Sequence, residues 1–224
     1  MKYNFIIPYR NRKEHLDELI RRYSDVLKNK DIDAKFFIIH QMNPREFNRG
    51  AMKNIGFLEV SKTRPDGLFI FHDVDVFPVS WELIKYETKR GYFRRPIYNG
   101  FEGNLGLICS CWKEDFEKTN GFPNYWGWGV EDATLYERAL KNGIIIDETN
   151  MVNYKDETKV INPNHYRNVQ KERNDGIKNK DILLEERKTG KVTDGLTSIE
   201  YEVISSFELV PQFTVNNVDF KLKE

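Results

Sequence analysis

The first part of the chain alternates short apolar runs with segments of helical spacing. Apolar residues fill 3–8, 34–40 and 68–71, which predicts three buried strands. Segments 11–29 and 47–62 place their apolar residues on one side of a helix, which predicts two helices. Because buried strands that alternate with helices are typical of parallel sheets covered on both faces, we expect an α/β fold with a mostly parallel sheet flanked by helices.

The rest of the chain is less regular. Glycine and aromatic residues fill 121–129 and predict a loop, and alternating polar and apolar residues over 201–220 predict strands. Charged residues dominate 155–191, which is typical either of a solvated helix pair or of a mobile lid. The other predicted elements are helices over 81–90, 113–119 and 131–141 and strands over 105–111 and 144–146.

Composition narrows the classes of protein that this pattern fits. The 224 residues include 13% aromatic residues, too many for a disordered chain, and no repeat or linker divides them, so we expect one domain. The 35 Lys and Arg balance 35 Asp and Glu, which argues against a general nucleic-acid binder because such proteins need a basic excess. Two cysteines, Cys109 and Cys111, are too few for a disulfide scaffold with several bridges, and we expect both to be reduced.

The N-terminus carries no pattern for export. The apolar run that follows Met1 and Lys2 is too short for a signal-peptide core and lacks a small-residue cleavage site. No stretch approaches the ~20 apolar residues of a membrane span. We therefore expect a protein without a membrane span and with a cytoplasmic location.

An Asp-x-Asp pair is the first candidate site. His72-Asp-Val-Asp75 follows the predicted strand over 68–71, and open α/β sheets bind ligands at strand ends. If the segment is extended, the carboxylates of Asp73 and Asp75 project to one side, where two hard oxygen donors suit Mg²⁺ or Mn²⁺ bridged to a diphosphate. The same short pattern also fits a turn with two solvated acids.

A loop rich in tryptophan and glycine is the second candidate. Tyr125-Trp-Gly-Trp-Gly-Val-Glu-Asp132 leaves backbone free to approach a ligand and supplies flat rings for a sugar. Glu131 and Asp132 fall at the start of a predicted helix, where acids are also favoured simply because they complement the helix dipole. The functional alternative is a carboxylate held ionised beside a pocket as a general base.

Arginines follow two of the predicted strands. Arg10 and Arg12 come after the first strand, and Arg49 lies within Phe47-Asn-Arg-Gly50 after the second. Arginine suits phosphate recognition, although arginines before a helix are also ordinary surface residues. The sequence contains no G-x-x-x-x-G-K and no H-E-x-x-H motif.

Together these motifs resemble the beta-1,4-galactosyltransferase family, inverting glycosyltransferases of GT-A fold that use UDP-sugars. The resemblance implies one GT-A catalytic domain over 1–224 with a Rossmann-type mixed sheet, in which 1–80 mainly binds nucleotide, 95–224 mainly binds donor and acceptor sugars, and 155–191 includes a lid. The motifs that carry it are Ile7-Pro-Tyr-Arg-Asn-Arg12, Phe47-Asn-Arg49, Asn54-Ile-Gly-Phe57, Phe71-His-Asp-Val-Asp75 with Pro78, Asn120-Gly-Phe-Pro-Asn124, Tyr125-Trp-Gly-Trp-Gly129, Glu131-Asp132, Asn162-Pro163, Asp194-Gly-Leu196 and Tyr201.

The resemblance also implies a reaction and a role for each site residue. A hexose, Gal or GalNAc, would pass from UDP-Gal or UDP-GalNAc to a hydroxyl of a saccharide or glycoconjugate acceptor, with a beta linkage as the product. Asp132 would be the catalytic base, Glu131 would help orient the sugars, and Asp75 would bind Mn²⁺ or Mg²⁺ directly. The implied nucleotide contacts are Pro8, Arg10, Arg12, Phe47, Arg49 and Asp73, and the implied sugar contacts are Tyr125, Trp126, Trp128, Gly129 and Asn104.

Three positions depart from the family pattern. Ala133 replaces an acid that helps hold the acceptor sugar, and Asn104 replaces an aromatic residue that helps discriminate between donor sugars. Tyr154 stands where the family has a metal-binding His, and a phenol is a poor ligand at neutral pH because its pKa is about 10. We therefore expect a metal site that is weaker and complemented by water or His165, or one that is biased towards Mg²⁺. The candidate ligands beside Asp75 are Met151, Tyr154 and His165.

Two hypotheses for the function follow. The first is a UDP-sugar-dependent hexosyltransferase. The second, which Ala133 and Tyr154 motivate, is a non-catalytic sugar-nucleotide-binding or scaffolding subunit of a glycan-synthesising complex. Animal members of the family carry a membrane anchor and stem that this sequence lacks, so we expect a cytoplasmic enzyme of microbial or viral source, or a trimmed form of a longer protein.

Overall fold

The chain folds around one large mixed sheet. The computed structural model describes residues 1–161 and 169–223. The helices are α1 (Lys13–Leu27), α2 (Arg49–Thr63), α3 (Lys113–Lys118), α4 (Glu131–Lys141) and α5 (Val169–Thr189). The strands are β1 (Lys2–Tyr9), β2 (Asp33–Gln41), β3 (Leu68–His72), β4 (Phe77–Pro78), β5 (Tyr92–Arg94), β6 (Ile97–Tyr98), β7 (Ile108–Cys111), β8 (Ile145–Asp147), β9 (Val152–Asn153), β10 (Val160–Ile161), β11 (Ile199–Val210) and β12 (Phe213–Leu222).

The main sheet has eight strands in the order β11-β12-β2-β1-β3-β7-β5-β8. The central strands β12, β2, β1 and β3 run parallel to one another, whereas β7 is antiparallel to both β3 and β5. The register places Phe5 beside Phe36 on one side and beside Ile70 on the other, so apolar residues meet across the ladder. The mixed, mostly parallel sheet expected from the sequence is confirmed.

Two hydrophobic layers cover the faces of this sheet. On one face α1 places Leu19 and Tyr23 in a cluster with Phe5, and both helical residues are buried because apolar positions recur on one side of α1. On the other face α2 and α4 place Ile55 and Leu135 in a second cluster. The ends of the parallel strands therefore open between helices packed on both faces, which positions any site that follows β1 or β3.

The prediction of a helix over 81–90 is wrong. Only Trp81–Leu83 forms a short 3-10 turn. Beyond it Ile84 and Tyr86 are buried and the residues between and after them are exposed, which is the alternation of an extended chain. The Tyr86 hydroxyl lies 3.0 Å from that of Tyr23, and the Tyr86 carbonyl accepts a hydrogen bond from Ser110. These tertiary contacts hold the segment extended against its helical pattern.

The strand predicted over 105–111 is shorter than expected because of one backbone conformation. Leu107 has a φ of 69°, in the left-handed region that a strand cannot contain, so β7 begins at Ile108. The Leu107 carbonyl accepts a hydrogen bond from the backbone N of Asp73 at 2.9 Å. The turn that interrupts the strand thus fixes the segment that follows β3.

The charged segment 155–191 contains one long helix, α5, among its described residues. The strands predicted over 201–220 are confirmed: β11 and β12 form an antiparallel hairpin, and β12 then adds to β2 in parallel. No helix within residues 1–161 and 169–223 is long and apolar enough to cross a membrane.

Candidate active site

Three segments meet at the carboxyl ends of β1 and β3. Arg49 opens α2 behind the N-cap Asn48, whose side chain accepts a hydrogen bond from the backbone N of Ala51 at 2.8 Å. The Asn48 amide also donates to the carbonyl of Asn124 at 2.9 Å, which ties α2 to the loop that leads into α4. The first turns of α2 and α4 therefore face Asp73 at the end of β3.

One arginine connects the acidic residues expected in the site. Arg49 donates from Nη1 to Asp73 Oδ2 at 2.8 Å, from Nε to Glu131 Oε1 at 2.7 Å, and from Nη2 to Asp132 Oδ2. Burial lowers the pKa of Arg49, but the three carboxylates outweigh that effect and raise the pKa well above its ordinary value. The structure thus brings together Asp73, Glu131 and Asp132, which lie far apart in sequence.

Sequence reasoning missed a second cation in this group. Lys53 lies one helical turn after Arg49, and its side chain is 1% exposed. Its Nζ is 3.3 Å from Asp73 Oδ1 and 3.4 Å from Asp132 Oδ1. Burial lowers the pKa of Lys53, but Asp132 and Asp73 raise it above its ordinary value, so the amine is charged. The sequence signal was weak: a lysine four residues after Arg49, within the run of α2 that the structure buries.

Arg49, Lys53, Asp73, Glu131 and Asp132 form the Arg49 cluster, in which two cations face three carboxylates. Burial raises the pKa of Asp73, but Arg49 and Lys53 outweigh it and hold the pKa below its usual range. Asp73 Oδ1 is buried, and its neighbouring cation is Lys53, whose Nζ lies 3.3 Å away. With two cations for three carboxylates, the cluster keeps a net negative charge.

Asp75 lies at the edge of the cluster and is less well neutralised. Burial and the neighbouring Asp73 raise the pKa of Asp75, and Arg12 offsets this only in part because its Nη1 is 3.9 Å from Asp75 Oδ2. An anionic oxygen without a close cation gains from a hard divalent ion. The donor chemistry at Asp75 therefore fits Mn²⁺ or Mg²⁺.

The other expected metal ligands flank a short strand. Met151 and Tyr154 lie on either side of β9, and both side chains are half-buried. Tyr154 is fixed by its backbone N, which donates to the carbonyl of Tyr98 at 2.9 Å. His165 lies outside the described residues. Within residues 1–161 and 169–223, no three His, Cys, Asp or Glu side chains come together as a metal site.

A neutral histidine is hydrogen-bonded to the backbone of the Asp-x-Asp segment. The Tyr23 hydroxyl donates to His72 Nε2 at 2.7 Å, and His72 Nδ1 donates to the carbonyl of Asp73 at 2.8 Å. Burial lowers the pKa of His72 to about 4, so the imidazole is uncharged near neutral pH. His72 therefore fixes the end of β3 without adding charge to the Arg49 cluster.

The Trp and Gly loop exposes one of its three aromatic rings. Tyr125 is buried, and burial raises its pKa to about 12. Trp126 stacks on Phe220 with ring centroids 5.2 Å apart, whereas Trp128 is 43% exposed. The backbone N of Gly129 donates to Glu131 Oε2 at 3.1 Å. Trp128 is thus the ring of this loop that is presented for a ligand, and Gly129 holds Glu131.

Gly106 packs closely against three side chains. A Cβ placed on Gly106 would be 3.1 Å from both Asn104 Oδ1 and Asp132 Oδ2 and 2.7 Å from Asn99 Nδ2. Asn104 is buried and donates to the carbonyl of Phe101 at 2.9 Å, so it is held in place. The structure therefore brings Asn104 and Asn99 close to Asp132.

The remaining expected nucleotide contacts lie at the end of β1 and just before α2. Pro8 is buried within β1, and the Arg10 guanidinium lies 5.6 Å from the ring centroid of Phe47. The Phe47 carbonyl accepts a hydrogen bond from the backbone N of Gly127 at 3.1 Å. This contact joins the expected nucleotide side of the site to the Trp and Gly loop.

Comparisons with known proteins agree with this geometry. The N-terminal region of glycosyl transferase group 7 matches residues 1–86, and the N-terminal domain of galactosyltransferase matches residues 94–164. The two matches cover both the Asp-x-Asp segment and the Trp and Gly loop.

Curated relatives align over nearly the whole chain. Beta-1,4-galactosyltransferase 4 of Cricetulus griseus is 34% identical over 96% of this chain and 62% of its own length. Beta-1,4-galactosyltransferase 5 of Mus musculus is 31% identical over 96% of this chain and 55% of its own length. Beta-1,4-galactosyltransferase 1 of Homo sapiens is 29% identical over 96% and 54%. The chain thus spans between half and two thirds of the length of these three relatives.

Solved structures show the same fold. A variant of Drosophila beta-1,4-galactosyltransferase 7 in complex with manganese, UDP-Gal and xylobiose has a TM-score of 0.83 at 21% identity, covering 99% of this chain and 95% of that one. The catalytic domain of the same Drosophila enzyme with xylobiose has a TM-score of 0.76 at 21% identity, with the same coverage of both chains.

These comparisons correct one expectation from the sequence. The prediction of a cytoplasmic enzyme of microbial or viral source is wrong, since the relatives are animal galactosyltransferases. The missing anchor carried no information because the relatives are considerably longer than this chain. With two family models matched in order, relatives above 30% identity and the fold of a solved member, the chain belongs to the beta-1,4-galactosyltransferase family.

Proposed function

We propose that this chain is an inverting galactosyltransferase that moves galactose from UDP-galactose to a hydroxyl of a saccharide acceptor, with a beta linkage as the product. The observation that carries the proposal is the Arg49 cluster, which holds Asp132 and Asp73 on one guanidinium. Such a transfer needs a general base close to a diphosphate site, and strand ends are where α/β sheets bind such ligands. The family relatives and the UDP-Gal in the Drosophila complex support this donor.

The diphosphate end of the donor suits the cations around Asp75. Arg12 and Arg49 supply positive charge toward the phosphates, while Phe47 and Pro8, with Arg10, bound the space for uridine. Asp75 would hold Mn²⁺, the ion in the Drosophila complex, or Mg²⁺, with Met151, Tyr154 or His165 as further ligands. The ion supplies positive charge that stabilises the leaving diphosphate.

Asp132 acts on the acceptor. Its carboxylate takes the proton of the acceptor hydroxyl while the hydroxyl oxygen forms the bond to the anomeric carbon and the bond from that carbon to the UDP oxygen breaks. Attack from the face opposite UDP inverts the configuration. Glu131, held by Arg49 and Gly129, keeps the first turn of α4 in place, and the exposed ring of Trp128 offers a surface for a sugar.

The choice of donor sugar is proposed to depend on Asn104, which lies beside Asp132. Asn104 is smaller than an aromatic residue, so we infer that GalNAc is a second donor that fits this position. Asn99 Nδ2 donates to Asn104 Oδ1 at 2.8 Å, which holds the Asn104 side chain in place. Ala133 supplies no acid for the acceptor, so acceptor contacts would depend on Trp128.

The two parts of the chain are proposed to bind different parts of the substrates. Residues 1–80 would bind mainly nucleotide, and residues 95–224 would bind mainly the donor and acceptor sugars within one catalytic domain. A lid over 155–191 stays a prediction. Its described helix α5 meets the Trp and Gly loop, where Asn179 donates to the carbonyl of Trp128 at 3.0 Å.

Release of UDP by the purified protein tests the proposal. We expect UDP-Gal to give metal-dependent UDP release in a panel that also contains UDP-GalNAc, UDP-Glc, Mn²⁺, Mg²⁺ and saccharide acceptors. UDP binding without turnover for any donor and acceptor pair would contradict it. That result would favour a non-catalytic sugar-nucleotide-binding subunit, the alternative that Ala133 and Tyr154 raise.

A further inference from the structure

A fully buried lysine stands between the two acids that matter most for the proposed reaction. Lys53 Nζ lies 3.3 Å from Asp73 Oδ1 and 3.4 Å from Asp132 Oδ1. Lys53 is one of the buried residues of α2, and its Nζ is 4.7 Å from the ring centroid of Phe122. The amine therefore has a fixed place between the Asp-x-Asp segment and the start of α4.

Burial of the charged Lys53 side chain is energetically unfavourable, so its position needs an explanation. Transferring an ammonium group from water to the protein interior is strongly unfavourable unless carboxylates compensate for the lost hydration. Asp73 and Asp132 provide that compensation, although both are already bound to Arg49. An apolar side chain at this place in α2 would extend the hydrophobic layer without the desolvation penalty.

The two cations of the Arg49 cluster differ in their exposure to solvent. The Arg49 side chain is 21% exposed, whereas that of Lys53 is 1% exposed. A donor diphosphate at Asp75 can attract Arg49, since phosphate competes with carboxylate for a guanidinium. Lys53 has no path to the donor, so its contacts with Asp73 and Asp132 persist when Arg49 turns to phosphate.

We propose that Lys53 is a positioning residue that holds Asp132 and Asp73 together while Arg49 serves the donor diphosphate. This inference rests on the proposed function of the Arg49 cluster. Lys53 contacts Oδ1 of Asp132, and Arg49 contacts Oδ2. When Arg49 moves to the diphosphate, Lys53 is therefore the cation that still holds the Asp132 carboxylate. A base that is misplaced by about 1 Å loses on the order of 100-fold in rate, which sets the scale of the effect.

The test compares Lys53→Met with wild type in the full chain. Methionine keeps the length of the stem and removes the charge. The measurements are kcat and KM for UDP-Gal with Mn²⁺, the affinity for UDP by calorimetry, and the thermal unfolding midpoint. We expect kcat to fall about 10- to 100-fold while KM and UDP affinity change by less than about 3-fold.

Lys62→Met is the matched control. Lys62 lies in the same helix, but its side chain is 61% exposed and pairs with Glu59 at the surface. We expect wild-type kcat and KM for this variant. A Lys53→Met enzyme with wild-type kcat overturns the inference, as does a loss of kcat that is matched by an equal loss of UDP-binding sites.

A second variant guards against misfolding. If Lys53→Met does not fold, Lys53→Gln is judged by the same split between kcat and UDP affinity. If both variants lose UDP binding together with activity, Lys53 is structural and the inference fails. A wild-type protein that binds UDP but transfers no sugar overturns the proposed function instead, so the two failures are distinguishable.

Discussion

Helix α4 carries an ionic cluster at each end, and the arginines of the two clusters differ in their exposure to solvent. Its first turn contributes Glu131 and Asp132 to the Arg49 cluster. Its last turn contributes Arg138, which is 1% exposed and binds Glu186, Asp194 and the carbonyl of Gly121. Both arrangements suit the helix dipole, with acids at the N-terminus and the cation at the C-terminus.

The difference shows which cluster can exchange partners with a ligand. Arg138 has a protein partner for each nitrogen of its guanidinium and no route to solvent, so its bonds tie α4 to α5 and to the segment around Asp194. Arg49 is 21% exposed and lies in a cluster where two cations face three carboxylates. Similar residue types thus hold the fold together at one end of α4 and remain available to a substrate at the other.

The largest expected effect comes from Asp132→Asn. The amide keeps the size of the side chain and can still accept from Arg49, but it cannot take a proton. We expect kcat to fall about 10²- to 10⁴-fold with unchanged UDP affinity, and the unfolding midpoint to fall because Arg49 and Lys53 lose a charged partner. Steady-state kinetics and thermal unfolding check both halves, and turnover close to wild type would end the assignment of the base.

Arg138→Met should have the opposite signature. Removing one partner of a buried pair leaves Glu186 and Asp194 uncompensated, and we expect the free energy of unfolding to fall by about 3–5 kcal/mol. Urea unfolding measures this change. The fraction of protein that remains folded should keep its affinity for UDP. A stable variant with impaired UDP binding would show that the two clusters are not distinct in role.

Asp75→Asn tests whether the open side of the Arg49 cluster binds a divalent ion. The amide loses the charge that Mn²⁺ requires, and we expect the Mn²⁺ concentration for half-maximal activity to rise at least about tenfold. Asp66→Asn is the control, because the Asp66 side chain is 64% exposed and pairs with Lys2 and not with the Arg49 cluster. An Mn²⁺ dependence that does not change would place the ion elsewhere.

The smallest effect is expected for Val130→Gly at the start of α4. Val130 has a φ of 57°, a left-handed conformation that costs a β-branched residue about 1–2 kcal/mol. Glycine relieves this strain but adds freedom to the unfolded chain, so we expect the free energy of unfolding to change by less than about 1 kcal/mol. We expect kcat to fall several-fold because Glu131 and Asp132 are held less firmly, and a wild-type kcat would argue against that role.

The candidate site was predictable where it depended on local spacing. Asp73 and Asp75 follow a buried strand, and Glu131 and Asp132 open a helix whose observed bounds match the predicted ones. Lys53 was not predictable, because its role depends on Asp132, 79 residues away. The failed helix over 81–90 has the same origin, since Ser110 and Tyr23 hold Tyr86 in an extended segment.

The sequence by itself determined the α/β alternation, the strand-end position of the Asp-x-Asp pair and the ordered motifs of the family, because hydrophobic periodicity and short motifs are local properties of the chain. The tertiary structure alone decided which charges share a partner. Arg49 meets Glu131 across 82 residues of sequence, and Arg138 meets Asp194 across 56. Packing helices on both faces of the sheet sets those distances and the burial that strengthens each contact, and no local pattern encodes them.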